Sequence, residues 1–288
     1  MAETSRLRGA APAKLNLYLH VVGRRDDGYH LLDTLFAFTV FGDELAVERT
    51  TAPDSDLEID GPFAAGLSGG ADNLVLRAAR ALSADRAARL VLTKNLPVAS
   101  GLGGGSADGG AALRLLLQLW NLSPSVGTLR DLTRRLGADV PACFAGACCF
   151  AGGVGDQLSP APTLPPAGIV LINPRVALPT PAAFVRRSGA FSQSARFDTA
   201  HANARDLAVA LRERRNDLTP GAVTLVPVIA VILAALDSSE GCHLARMSGS
   251  GATCFGIYDD ATSASRAADS LRMRHPHWWV VATELLTR

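Results

Sequence analysis

The stretch Pro97-Val98-Ala99-Ser100-Gly101-Leu102-Gly103-Gly104-Gly105-Ser106-Ala107-Asp108 constrains this chain more than any other. Four of the five residues from 101 to 105 are glycine. That leaves the backbone free to take left-handed angles and to approach a ligand closely. Upstream, Arg89 to Asn95 alternates like a strand; downstream, Leu113, Leu116, Leu117 and Trp120 follow the spacing of one buried helix face. The glycines therefore sit where a strand hands over to a helix N-terminus. Free N–H groups and about +0.5 of helix-dipole charge favour an anion there, and a polyphosphate is the obvious one. Tight packing is the competing reason for such a run.

Composition narrows the remaining possibilities. The 288 residues carry 28 basic and 27 acidic side chains, a net charge of +1 with no run of either sign. No clustered basic patch marks a nucleic-acid partner. Met1 to Lys14 lacks the apolar region of a signal peptide. The most apolar run, Val223 to Leu236, contains Pro227, is too short for a membrane span, and is expected to be a buried helix. A cytoplasmic protein without a membrane partner is the expectation. The five cysteines form no C-x-x-C pair and the six histidines no H-E-x-x-H, so reduced, buried thiols are expected, with neither disulfides nor zinc.

Read in order, Lys14 to Val22 alternates as a strand, with Leu15, Leu17, Leu19 and Val21 on one face and Lys14, Asn16, Tyr18 and His20 on the other. The polar face belongs either to a solvated edge strand or to a site. Gly23 to Gly28 is a turn, Leu31 to Val40 an apolar segment, and Phe41 to Glu44 is expected to turn into a strand at Leu45–Arg49. A loop over 52–70 holds a strand-like piece at Leu57–Ile59, and Asp72-Asn73 caps a helix over Leu74–Leu82. Ser123-Pro124 opens a helix that closes at Gly137. Asp139 follows at once, either as a buried carboxylate or as a turn or cap aspartate. Gly152 to Asp156 is a hairpin turn, and Ser159 to Pro166, with four prolines in eight residues, a domain linker. Beyond it come a strand at Ile169–Asn173, a short helix carrying Phe184, helices over 198–214 and 220–236, a glycine-serine turn at 246–253, a strand at 254–258, a helix over 263–274 and a strand at 278–285. Irregular alternation of this kind favours an α+β, two-domain architecture.

Other phosphate loops do not fit. No Gly-Lys pair exists for a Walker A loop, Ser106 stands where a dinucleotide fingerprint needs its last glycine, and H-R-D and D-F-G are absent. Pro97 to Asp108 instead resembles the central ATP-binding motif of the GHMP kinases. Ala11-Pro12-Ala13-Lys14-Leu15-Asn16-Leu17, Gly28-Tyr29-His30-Leu31-Leu32, Gly137-Ala138-Asp139-Val140-Pro141 and Ser248-Gly249-Ser250-Gly251-Ala252 are similar to further motifs of that family, in its order. Asp72-Asn73-Leu74, Pro179-Thr180-Pro181-x-x-Phe184 and Asn216-Asp217-Leu218 agree as well.

The resemblance implies a ribosomal-protein-S5-like N-terminal domain (1–160, ATP-binding and catalytic) and a ferredoxin-like C-terminal domain (161–288, substrate-binding), with ATP and substrate in the cleft between. It implies transfer of the ATP γ-phosphate to the C2 hydroxyl of a diphosphocytidyl-methylerythritol acceptor by a monomer or homodimer. Asp139 would be the base, with Lys14 beside it to keep it ionised and to neutralise the phosphoryl group. Asn16 would hydrogen-bond the substrate, Thr180 would lie in the substrate site, Tyr29 and Phe184 would sandwich cytosine, and His30 would read its edge; ordinary core packing is the alternative for Phe184. Residues Pro97 to Ser106 would bind ATP, with the N–H groups of Gly101 to Ser106 on the phosphates, Asn73, Leu74 and Lys94 on the nucleoside, and the Ser106 hydroxyl on a phosphate or Mg²⁺. Ala107 stands where many of the family carry a second serine. Gly109-Gly110 replaces alanines common there, which is expected to soften the first helical turns.

Overall fold

The computed structural model describes residues 6–287, so part of the N-terminal stretch read for a leader lies outside it. The elements run β1 (Leu7–Arg24), β2 (His30–Arg49), β3 (Asp56–Asp60), α1 (Leu74–Leu82), β4 (Ala88–Thr93), α2 (Gly104–Trp120), α3 (Val126–Leu136), α4 (Val140–Ala145), β5 (Cys149–Gly152), β6 (Gln157–Pro160), β7 (Gly168–Asn173), α5 (Thr180–Val185), α6 (Ala204–Arg212), α7 (Thr219–Leu225), α8 (Val228–Asp237), β8 (Leu244–Met247), β9 (Cys254–Tyr258), α9 (Ala261–Arg274) and β10 (Trp279–Glu284). They form two compact units, neither a single stretch of chain. The first takes residues 6–13, Gly42–Val98 and Gly103–Gly146, and the second Lys14–Phe41, Ala99–Leu102 and 147–287.

In the first unit β4 lies between β3, parallel to it, and the second half of β2, antiparallel, with Leu45 opposite Leu92. Burial alternates along β4, as the sequence pattern predicts: Leu90 and Leu92 are closed off, while Arg89 is exposed. Helix α1 begins where Asn73 caps it, the side chain accepting from the Val75 N–H at 3.0 Å. Helix α2 packs against α1 and α4, burying Leu115 and Leu119 as well as the expected Leu113, Leu116 and Trp120, whereas Leu117, expected on the same face, is only half-buried.

In the second unit β7 to β10 and their helices follow β-α-β-β-α-β, with the sheet order β10-β7-β9-β8. This is the ferredoxin-like arrangement. Its core includes Val170, Ile172, Ile229, Ile232, Cys254 and Leu271. The first half of β2 pairs with β5, and β5 with β6 across the glycine hairpin.

Several expectations are corrected. The turn expected at 41–44 does not exist, and β2 runs through it unbroken. Gly42 is there for closeness instead: a Cβ on it would lie 2.2 Å from the Ala11 carbonyl oxygen. The polar face of β1 is not a solvated edge, since Lys14, Asn16, Tyr18 and His20 are all buried. Helix α3 is capped by Ser125, which accepts from the Thr128 N–H at 3.1 Å, and not by Ser123. The helix expected over 198–214 starts only at Ala204, where Asn203 caps it. The one expected over 220–236 is two, split at Pro227, which has no N–H to continue the first. Strand β8 was not expected. Among the described residues no helix is long and apolar enough to cross a membrane.

Candidate active site

The glycine loop takes the backbone angles its composition allows. Ala99, Gly101 and Gly103 have φ of 52°, 79° and 62°, and Gly103 is the left-handed N-cap of α2. No side chain caps that helix. The N–H groups of its first turn therefore have no side-chain acceptor from the cap position, as an anion site requires. Ser106 stands in that turn, half-buried, and Ala107 beside it is buried. Pro97 and Val98 enter the loop from the first unit, with Val98 exposed.

In the second unit, Ala99–Leu102 is bonded to the glycine-serine turn. Ser248 Oγ donates to the Gly101 carbonyl (3.0 Å) and accepts from the Asn16 N–H (3.1 Å), and the Thr253 N–H donates to the Ser100 carbonyl (3.1 Å). A Cβ on Gly101 would fall 2.4 Å from the Ser248 carbonyl oxygen. Asn216 ties the turn from behind, donating to the carbonyls of Met247 and Gly249 at 2.8 Å.

The same unit brings together Lys14, Asn16 and Thr34. Lys14 Nζ donates to Asn16 Oδ1 at 3.0 Å and lies 3.9 Å from the centre of the Phe36 ring, while Asn16 Nδ2 donates to Thr34 Oγ1 at 2.9 Å. A buried ammonium held this way is a fixed positive charge on a strand. On β5, which pairs with β2 at Phe36, the Cys149 thiol is pushed up by burial, with Lys14 pulling the other way, to about 11.

Tyr29 is 65% exposed, whereas His30 stacks on Phe184 with ring centres 5.2 Å apart and planes 23° from parallel. Burial, reinforced by the nearby Arg24 and Arg187, lowers the His30 pKa, so the ring is neutral at pH 7 and offers one donor and one acceptor. Thr180 Oγ1 shares a hydrogen bond of 2.9 Å with Ser250 Oγ. Sequence reasoning missed Asp33. Its carboxylate accepts from Tyr18 (3.0 Å), Arg196 Nε (2.7 Å) and the Ala195 N–H (2.9 Å), which anchors the polar segment after α5 to β2. Burial would raise Asp33, but these bonds outweigh it and hold the carboxyl below its ordinary value.

In the first unit, Asn73 uses its side chain on the cap and on the Ser68 carbonyl (3.1 Å). Leu74 lies over the start of α2, 3.5 Å from where a Gly109 Cβ would be. Lys94 is buried, its ammonium on Asp43 and on Asp108 Oδ2 (2.7 Å). Asp139 is the half-buried N-cap of α4, and its side chain makes no cap hydrogen bond. Helix α4 is docked on α2 by Arg114, whose guanidinium donates to the carbonyls of Cys143 (2.6 Å) and Phe144 (3.0 Å). Gly110 opposes the same two residues, and a Cβ there would sit 2.8 Å from the Phe144 nitrogen. Gly110 is thus a close-approach glycine, and Gly109 is not. Neither Arg114 nor Asp43 carries a local sequence signal.

A left-handed glycine loop opening a helix, a buried strand lysine and a small-residue turn braced on the loop define a class of small-molecule kinase. Residues 73–147 match the family described as "GHMP kinases N terminal domain" and residues 197–276 that described as "GHMP kinases C terminal". The chain belongs to the GHMP kinases. It is 50% identical to the 4-diphosphocytidyl-2-C-methyl-D-erythritol kinase of Paramagnetospirillum magneticum, over 96% of this chain and 98% of that one. A crystal structure of a 4-(cytidine 5'-diphospho)-2C-methyl-D-erythritol kinase superposes with a TM-score of 0.79 at 34% identity, covering 97% of this chain and 99% of that one. A homoserine kinase from Cytophaga hutchinsonii shares the fold, with a TM-score of 0.73 at 17% identity, 100% of this chain and 97% of that one.

Proposed function

We propose that this chain transfers the γ-phosphate of ATP to the C2 hydroxyl of 4-diphosphocytidyl-2-C-methyl-D-erythritol, giving the 2-phosphate and ADP, in the non-mevalonate route to isoprenoid precursors. The observation that carries this reading is the 50% identity, end to end, to a relative named for that acceptor. In the proposal, residues 1–160 bind ATP and carry the chemistry, and 161–288 serve the substrate together with Asn16, Tyr29 and His30 of the first part. The loop from Pro97 to Ser106 binds ATP, the N–H groups of Gly101 to Ser106 holding the phosphates, and Asn73, Leu74 and Lys94 form the nucleoside side. Asp139 accepts the proton of the attacking hydroxyl, and Lys14 neutralises charge on the phosphoryl group as it transfers. Asn16 and Thr180 hydrogen-bond the acceptor.

Mg²⁺ fits this donor set. Such sites use one or two protein oxygens and take the rest from phosphates and water, and the Ser106 hydroxyl stands in the first turn of α2. Ser106 would hold the ion, which when bound would neutralise phosphate charge.

For the cytidine end, Tyr29 and Phe184 provide stacking faces and neutral His30 a base-edge partner. An exposed Tyr29 contributes little to folding, so Tyr29→Ala isolates binding. Stacking is worth about 1–3 kcal/mol per base; initial rates are therefore expected to show the acceptor KM rising on the order of tenfold, with the ATP KM unchanged. Equal losses for both substrates would argue against a cytidine site at Tyr29.

The reading as a whole is tested by ADP release with three acceptors. The diphosphocytidyl substrate is expected to exceed homoserine and mevalonate by about a hundredfold or more in kcat/KM, a discrimination within reach of a site built to pair polar edges. A preference for either of the others would overturn it.

A further inference from the structure

Both sides of the glycine loop are tied to one buried cluster in the first unit. Asp43 on β2 is fully buried, and Lys94 and Asp108 are each 4% exposed. Lys94 follows β4 directly, and its ammonium bonds Asp43 Oδ2 and, at 2.7 Å, Asp108 Oδ2 on α2. The other oxygen of Asp43 accepts from the N–H groups of Asn95 (2.6 Å) and Leu96 (2.9 Å), the two residues that lead into Pro97. Asn95 Nδ2 completes the tie by donating to the Gly42 carbonyl at 3.1 Å. A Cβ on Gly104, the first residue of α2, would lie 3.4 Å from Lys94 Nζ and 3.5 Å from Asp43 Oδ2. The cluster thus sits directly against the turn that must present its N–H groups.

We propose that Asp43, Lys94 and Asp108 are positioning residues for ATP, clamping the lead-in of the phosphate loop to the helix that follows it, and that the Lys94 ammonium does not touch the nucleotide. The inference rests on the reading of the loop as an ATP site and changes the role of Lys94 within it. Phosphate loops work by the fixed direction of their N–H groups, so a clamp on both ends acts on affinity without contact. One oxygen of the cluster, Asp108 Oδ1, is buried without a hydrogen-bond partner. Burial would lower the Lys94 pKa, but Asp108 and Asp43 outweigh it and raise it. Burial pushes Asp108 up to about 7 against the pull of Lys94.

Coupling between substitutions separates a clamp from a contact: a lysine that acts only through its two carboxylates loses its effect once they are neutral, whereas one that touches the nucleotide still loses that contact. Dissociation constants for ATP, measured by titration calorimetry without acceptor, are compared for wild type, Lys94→Met, the pair Asp43→Asn/Asp108→Asn, and the triple variant. Lys94→Met alone strands two buried carboxylates and is expected to weaken ATP by about tenfold or more, whereas in the paired background the same change is expected to cost less than about threefold. The acceptor KM is expected to stay within about twofold throughout, since the clamp acts on the ATP side alone. An equal loss in both backgrounds would show Lys94 on the nucleotide, and wild-type affinity in Lys94→Met would remove the clamp; either overturns the inference. If Lys94→Met does not fold, the paired and triple variants decide alone, by the same threefold against tenfold criterion. A wild type that binds no ATP would strike the loop reading first, and this inference with it.

Discussion

An Asp139→Asn variant is expected to lose turnover by about 10²–10⁴-fold, the usual contribution of a positioned general base. ATP affinity is expected to stay within about twofold of wild type. The substitution keeps the shape of the side chain and removes its charge and with it the capacity to accept a proton. The position favours a clean result. Asp139 stands at the N-cap of α4 without bonding that helix's N–H groups through its side chain, so the exchange does not undo a cap. Single-turnover rates at saturating acceptor, together with the ATP dissociation constant, check both halves. Wild-type turnover would end the assignment of Asp139 as base.

The second large effect is expected from Gly110→Ala, with Gly109→Ala as its matched control. Ala is the better helix former by about 0.5–1 kcal/mol, so on propensity alone both changes stabilise α2. Contacts separate them. A Cβ at 109 meets the Leu74 side chain at an ordinary 3.5 Å, whereas one at 110 lies 2.8 Å from the Phe144 nitrogen and 2.9 Å from the Cys143 carbonyl carbon. Backbone cannot rotate away as a side chain can. Gly110→Ala must therefore shift α4 or α2, at about 1–3 kcal/mol of overpacking. Because α4 carries Asp139, its turnover is expected to fall by about tenfold, since small misplacements of a reacting group are costly. Gly109→Ala is expected to raise the unfolding midpoint and leave turnover unchanged. Denaturant melts and kcat for the two variants check this, and equal behaviour of the pair would refute it.

What was legible in the sequence was local. The Asn73 cap, the alternation of β4, the hairpin at 152–156 and the glycine loop each satisfy a demand within a few residues of chain, and each stands as expected. Gly42 was misread because a glycine required by a crossing strand looks the same as one required by a turn. The apolar run at 223–236 hid its break because hydrophobicity continues through Pro227 while the helix does not. The polar face of β1 stayed ambiguous because its partners are distant in sequence: Thr34 is 18 residues from Asn16, and the Gln193 carbonyl 173 from His20. Asp43 was invisible for the same reason: nothing near it announces a lysine 51 residues away.

The interleaving of the two units also sets a schedule for synthesis. Every stretch of the first unit has been made once residue 146 is joined, but the second takes Lys14–Phe41 early and closes only with β10 on β7. Leu19 and Val21 belong to a core with Ile172, Ile229 and Val280. At ordinary ribosomal speeds that early segment waits roughly 10–50 s for its partners. Throughout that time its apolar face is open to chaperones or to other nascent chains. Yield in a cell should therefore respond to chaperone supply and to the pace of translation beyond residue 147, even where the finished protein is stable.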